Sequence, residues 1–218
     1  MTLAIFDLDN TLIAGDSDHS WGEFLVHKQL VDAEAYRLEN DRFYHAYQAG
    51  KLDIEAYLSF ALRPLTEHSP ERLAELQQEF MQDWIEPLRL ARAHALLDEH
   101  REKGHFLLII TATNRFITEP IAELLGVDDL LATDAELLDG RYTGRVAGTP
   151  CFREGKVTRL EQWLTGRPYS LERSYFYSDS NNDLPLLEQV SHPVAVDPDP
   201  LLHSIAKERN WPVISLRD

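Results

Sequence analysis

Residues Leu3 to Leu12 read LAIFDLDNTL, an unbroken apolar run that ends in two aspartates one residue apart. A run this short and this apolar suits a parallel strand buried on both faces. Ending such a strand on two carboxylates is costly unless something compensates their charge. In open α/β sheets, ligands bind in the crevice beyond the carboxyl ends of the strands. Asp7 and Asp9 therefore stand where both can turn toward one cation. A bare Asp-x-Asp would be better read as a solvated turn that caps the next helix.

After Thr11, residues 15–87 carry apolar side chains at helical spacing. Trp21, Phe24 and Leu25 share a face, as do Phe43, Tyr44 and Tyr47, and as do Ile54, Tyr57, Leu58, Ala61 and Leu62. Ser69-Pro70 opens a further helix and Pro87 breaks the pattern. From Leu88 onward helices and short apolar strands alternate, which calls for a parallel sheet. Expected strands are 106–111, 174–178, 193–196 and 213–215, with a short one within 128–133. Expected helices are 88–103, 114–125, 156–164, 184–189 and 201–210. Asp139-Gly140 between alternating stretches is a hairpin signal. The fold class expected is α/β, with residues 1–14 and 88–218 as the sheet-bearing core and 15–87 as an inserted helical cap.

Three later pieces fit the first one. Thr111 ends the run FLLIIT, Lys156 lies in EGKVTRL, and Asp179 and Asp183 lie in YFYSDSNNDLPLL. In this order they resemble the four motifs of the haloacid-dehalogenase-like phosphohydrolases, closest to the phosphoserine-phosphatase-like branch with its helical cap. The resemblance implies a three-layer α/β/α Rossmann-like core and an aspartyl-phosphate mechanism. Ser178 stands where close relatives often have Gly, and Thr111 where they more often have Ser.

Under this resemblance Asp7 is the nucleophile. A carboxylate that attacks phosphorus splits a hard hydrolysis into two easier steps. Asp9 is the general acid and then the base, a role that needs a carboxyl poised near neutral pH. Thr111 offers a hydroxyl to phosphate, and Lys156 neutralises phosphoryl charge. Mg²⁺ is the expected cofactor, held by Asp7, Asp179 and the backbone carbonyl of Asp9. Thr11 holds the loop, Asp183 orients Lys156 or a metal-bound water, and Asn182 is a candidate donor to phosphate. Taken singly, each has a plainer role. Asp179 and Asp183 could cap a helix, Thr111 could be an ordinary strand residue, and most lysines are merely solvated.

The substrate expectation rests on Asp16, nine residues after Asp7, where phosphoserine phosphatases carry an amine-binding Glu. The Arg that binds the substrate carboxylate in those enzymes has no counterpart at Ala61. Arg63, Arg37 and Arg42 are nearby candidates. An acidic amine-binder without a carboxylate-binder suits an amino-alcohol phosphate, and the best candidate is L-histidinol phosphate, as in histidinol-phosphatase-type members. Trp21, Phe43, Tyr44 and Tyr47 could stack on its imidazole. His19, Glu23 and His27 share a helical face, and solvated polar residues are the better reading of them. Phosphoserine phosphatase is the alternative, followed by a phosphotransferase or a non-catalytic binding protein of the same fold. The formal charge of −16 repels nucleic acid and anionic membranes, so a small phosphate ester is the expected partner. A single cysteine, Cys151, and the absence of an N-terminal basic-apolar segment point to a cytoplasmic protein.

Overall fold

A computed structural model describes residues 2–217. Strand β1 (Leu3–Phe6) leads into helices α1 (Ser17–His27), α2 (Ala33–Gln48), α3 (Ile54–Ala61), α4 (Arg63–Thr66) and α5 (Pro70–Phe80). A π turn and a 3-10 turn over 81–88 close this helical segment. Then come α6 (Ala91–Glu102), β2 (Phe106–Asn114), α7 (Arg115–Leu125), β3 (Asp129–Thr133), and the hairpin β4 (Ala135–Leu138) and β5 (Arg141–Val146). The chain finishes with α8 (Glu154–Leu164), β6 (Ser174–Ser178), α9 (Leu184–Leu187), β7 (His192–Val196), α10 (Pro200–Glu208) and β8 (Val213–Ile214).

Six strands form one sheet in the order β3-β2-β1-β6-β7-β8, and every pair is parallel. Successive strand residues point to opposite faces, so the sheet feeds two cores. Ala4, Phe6, Leu107 and Ile109 pack under α6, α7 and the inserted helices. Leu3, Ile5, Leu108 and Ile110 pack under α8, α9 and α10. The result is the expected three-layer α/β/α arrangement. Burial on both faces explains why β1 is apolar throughout.

The two chain crossings into the inserted segment lie side by side. Ile13 bridges Arg89, and the Ala14 N–H donates to the Leu88 carbonyl at 2.8 Å. Helix α1 nevertheless packs down onto the sheet layer: Trp21 meets Phe116 of α7 edge-on at 5.3 Å and Phe80 of α5 at 5.1 Å. Pro87 sits in the 3-10 turn, so α6 starts at Ala91 and not at the expected Leu88. The hairpin turn is Asp139-Gly140, both with positive φ, as a two-residue turn matched to strand twist requires.

Strand β2 is longer than the apolar run suggested. It continues past Thr111 to Asn114, and its pairing with β3 is irregular between Ile110 and Asn114. Irregularities of this kind re-aim side chains next to sites. Here the affected residues are Thr111 and Thr113.

Candidate active site

The carboxyl ends of β1, β2 and β6 meet at one point. The Asp7 N–H donates to the Tyr177 carbonyl at 2.9 Å, which extends the sheet pairing by one residue and fixes the Asp7 backbone. The chain then coils tightly, with Asn10 at φ 57° and the N–H groups of Thr11, Leu12 and Ile13 all turned to the Leu8 carbonyl. That coil brings Asp9 back beside Asp7.

Asp7 is 3% exposed. Its Oδ1 accepts a hydrogen bond from Lys156 Nζ at 2.8 Å, while its Oδ2 is buried without a partner. Lys156 also pairs with Asp183 Oδ1 at 2.7 Å, and Ser178 Oγ donates to Asp183 Oδ2 at 2.7 Å. Gly155 is needed just before Lys156, because a Cβ there would lie 2.1 Å from the Pro150 carbonyl oxygen. Burial disfavours the Lys156 charge, but the carboxylates of Asp183 and Asp7 more than offset it and hold the ammonium protonated. Asp179 joins this group through Thr11, whose hydroxyl donates to Asp179 Oδ1 at 3.1 Å and accepts from the Asp179 N–H at 3.1 Å.

Two carboxylates thus share one lysine, a third is tied in beside them through Thr11, and acidic groups outnumber the cation. Burial, partly relieved by Lys156 and worsened by Asp183, pushes Asp7 up to about 7. Asp179 is driven well above the usual carboxylate range by burial, then by Asp7 and Asp183. Among the described residues, no three His, Cys, Asp or Glu side chains are arranged to hold a metal by themselves. A hard divalent ion does not require that, since Mg²⁺ takes one or two carboxylates and completes its shell with water and phosphate. The orphaned Asp7 Oδ2 and the charge surplus at Asp7 and Asp179 fit such an ion.

Asp9 has a different environment. Its Oδ1 accepts from the Ser17 N–H at 2.6 Å, and its Oδ2 from Thr113 Oγ1 at 2.8 Å and, at 3.5 Å, from Thr111 Oγ1. Burial and then Asp16 push it up to about 6, against the pull of Ser17 and Thr113. Asp7 and Asp9 therefore carry different hydrogen-bond sets: a cation for one, neutral donors for the other.

A cleft opens over these carboxylates. Its lining includes Asp7, Asp9, Thr111 and Thr113 at the base, Asp16, Asp18 and His19 from the start of α1, and Phe43, Tyr44, Tyr47 and Tyr57 from α2 and α3. No Lys or Arg lines it among the described residues. Asp16 caps α1 by accepting from the His19 N–H at 2.8 Å, so its capping role and its place in the cleft coexist. Burial pushes Asp16 up to about 6.

Other expected residues are placed elsewhere. The Asn182 amide donates to the Tyr47 carbonyl at 3.1 Å and to Ser180 Oγ at 3.2 Å, so its donors are engaged by α2 and by its own turn. Trp21 is in the apolar core, not the cleft. Arg37, Arg42 and Arg63 are more than half exposed and pair with Glu23, Glu39 and Glu67. His19 and Glu23 pair separately with Asp41 and Arg37, and His27 packs on Trp84. Sequence reasoning missed Thr113, Asp18 and Tyr57. The alternation Thr111-x-Thr113 carried a signal for the first, and the pair Asp16-x-Asp18 for the second.

The family model for haloacid dehalogenase-like hydrolases matches residues 4–188. A protein named histidinol-phosphatase, from Neisseria meningitidis serogroup C (strain 8013), is 49% identical over 219 residues, covering 99% of each chain. A crystal structure of a protein of unknown function from Bordetella pertussis Tohama I superposes with a TM-score of 0.92 at 47% identity, covering 98% of each chain. A phosphoserine phosphatase solved as a phospho-aspartyl intermediate analogue has a TM-score of 0.73 at 19% identity, covering 99% of this chain and 93% of that one, and shares the fold.

Proposed function

The chain belongs to the haloacid dehalogenase-like hydrolases, and we propose that within them it is a Mg²⁺-dependent phosphomonoesterase for L-histidinol phosphate. One observation carries the substrate choice: the cleft over Asp7 presents Asp16 and Asp18 among aromatic rings and, among the described residues, no Lys or Arg. Such a lining attracts a cationic, ring-bearing alcohol phosphate. Among the described residues it offers no Lys or Arg to the carboxylate of phosphoserine. The name of the 49% identical relative agrees with this reading.

Asp7 attacks phosphorus and becomes the aspartyl-phosphate, and the alkoxide leaves toward Asp9. Lys156 holds one Asp7 oxygen and balances charge on the transferring group. Asp9, steadied by Ser17 and Thr113, donates a proton to the alkoxide and then takes one from the water that hydrolyses the intermediate. Thr111 supplies a hydroxyl at the same edge. A Mg²⁺ ion held by Asp7, Asp179 and the Asp9 carbonyl would offset the repulsion between carboxylate and phosphate. Thr11 and Asp183 keep Asp179 and Lys156 in place. We read residues 15–87 as the specificity cap over a core of 1–14 and 88–218, and the cytoplasm as the protein's compartment.

The test is phosphate release from histidinol phosphate with Mg²⁺ and with excess chelator, for the native chain and for Asp7→Asn. Release should require the metal, and Asp7→Asn should lower it by about 10³-fold or more, as expected when a covalent nucleophile is lost. Metal-independent release, or a fully active Asp7→Asn, would contradict the mechanism.

A further inference from the structure

Asp18 is one buried carboxylate in the cleft that the chemistry above does not use. It lies in the first turn of α1, is 6% exposed, and lines the cleft with Tyr57 and Phe43. Asp9 has Ser17 and Thr113 as donors, and Asp16 has the His19 N–H. Among the described residues, Asp18 has only the Tyr57 hydroxyl to favour its charge at short range, with His19 acting at a distance and Asp9 opposing. A carboxylate this buried, without a paired cation, is expensive to keep. The walls beside it are aromatic, with Phe43 and Tyr57 edge-to-face at 5.3 Å.

We propose that Asp18 and Tyr57 form a second subsite, which binds an N–H or protonated nitrogen of a planar ring at the end of the substrate remote from phosphate. The proposal rests on the phosphatase reading and adds to it a division of labour: Asp16 takes the substrate amine and Asp18 takes the ring nitrogen. Ring and carboxylate then neutralise each other in a site that excludes water, and the rings of Phe43 and Tyr57 flank the ligand's faces or edges. Burial pushes the Asp18 carboxyl up to about 7, which is the behaviour of a group whose counter-charge arrives with its ligand.

The experiment compares histidinol phosphate with phenylalaninol phosphate, which keeps the amine and a planar ring but has no ring nitrogen. The native chain should prefer histidinol phosphate. Asp18→Asn should cut that preference in kcat/KM by about 10- to 100-fold, the range expected for one hydrogen bond to a charged group. Tyr57→Phe should move it the same way by less, and it carries the test if Asp18→Asn folds poorly. An equal loss on both substrates would assign Asp18 a structural role and overturn the proposal. Calorimetric titration with L-histidinol separates this from the reading beneath it. Weaker binding to Asp18→Asn than to the native chain supports the subsite even if turnover fails, and unchanged binding refutes it. A native chain that shows no preference for histidinol phosphate over phosphoserine would instead overturn the substrate reading.

Discussion

At Asp9 several forces meet on one carboxyl. Burial and the nearby Asp16 push its proton affinity up, while the Ser17 N–H and the Thr113 hydroxyl stabilise the charged form and pull it down, leaving it at about 6. A group in that range can both give and take a proton near neutrality. Replacing Thr113 by Val removes a donor to the charged form, so the Asp9 pKa must rise. The alkaline limb of kcat/KM, which reports the acid in the free enzyme, should then move to higher pH. Because the proposed mechanism also has Asp9 take a proton from water in its second half-reaction, kcat at neutral pH should fall by roughly 10-fold. A pH profile that superposes on the native one would show that Thr113 does not tune the acid. Asp7, Asp9, Asp179, Asp183 and Lys156 were legible from the order of four motifs, since each taken singly has a plainer role, and the fold brings Lys156 onto Asp7 and Asp183. Thr113 was passed over, since a threonine in an apolar strand has an ordinary reason to be there, although its alternation with Thr111 sets both on one face.

The elements show where sequence reading runs short. The apolar run 106–111 announced β2, but nothing in it announced the irregularity that extends the strand to Asn114 and turns Thr113 toward Asp9. The helices of 15–87 were readable from apolar spacing and from the Ser69-Pro70 start, and the structure adds that Asp16, Asp32, Asp53 and Ser69 each accept from an N–H in the first turn of the helix they precede. Their docking was not, because it depends on contacts far apart in the chain. Arg153 is one such contact. It precedes α8 at φ 50°, ψ −120°, a strained backbone for a residue with a Cβ. Its guanidinium donates to the Gly50 carbonyl just beyond α2 and to Asn182 Oδ1 at 3.1 Å, while Asn182 donates to the Tyr47 carbonyl. Arg153 and Asn182 together clasp the end of the helix that carries Phe43, Tyr44 and Tyr47 into the cleft. Arg153→Ala should release it, raising KM for the substrate by about 10-fold with a smaller change in kcat. Arg153→Lys should not rescue, because one ammonium cannot reproduce the two-sided fork. An unchanged KM in steady-state assays would remove the clasp from the explanation of binding.

Across the whole molecule, the charge balance and the site point the same way. A chain with a formal charge of −16 repels a phosphate ester at long range. Around the reacting carboxylates that repulsion has to be reversed locally, and Lys156 is their buried protein cation. In the cleft above, the surplus of carboxylate favours a ligand that brings its own positive charge. The fold follows the same economy, placing the costly ends of β1 and β6 together so that one lysine serves carboxylates from both. The substrate choice therefore rests on the charge of the cleft lining and not on the sheet. The most direct measurement is the ratio of kcat/KM for L-histidinol phosphate to that for L-phosphoserine, with saturating Mg²⁺ at neutral pH. A cleft that presents Asp16 and Asp18 and, among the described residues, no Arg or Lys should give a ratio of about 10² or more, since the wrong ligand leaves a buried carboxylate facing another. A ratio near one, or a preference for phosphoserine, would contradict the central claim that Asp16 and Asp18 select the substrate.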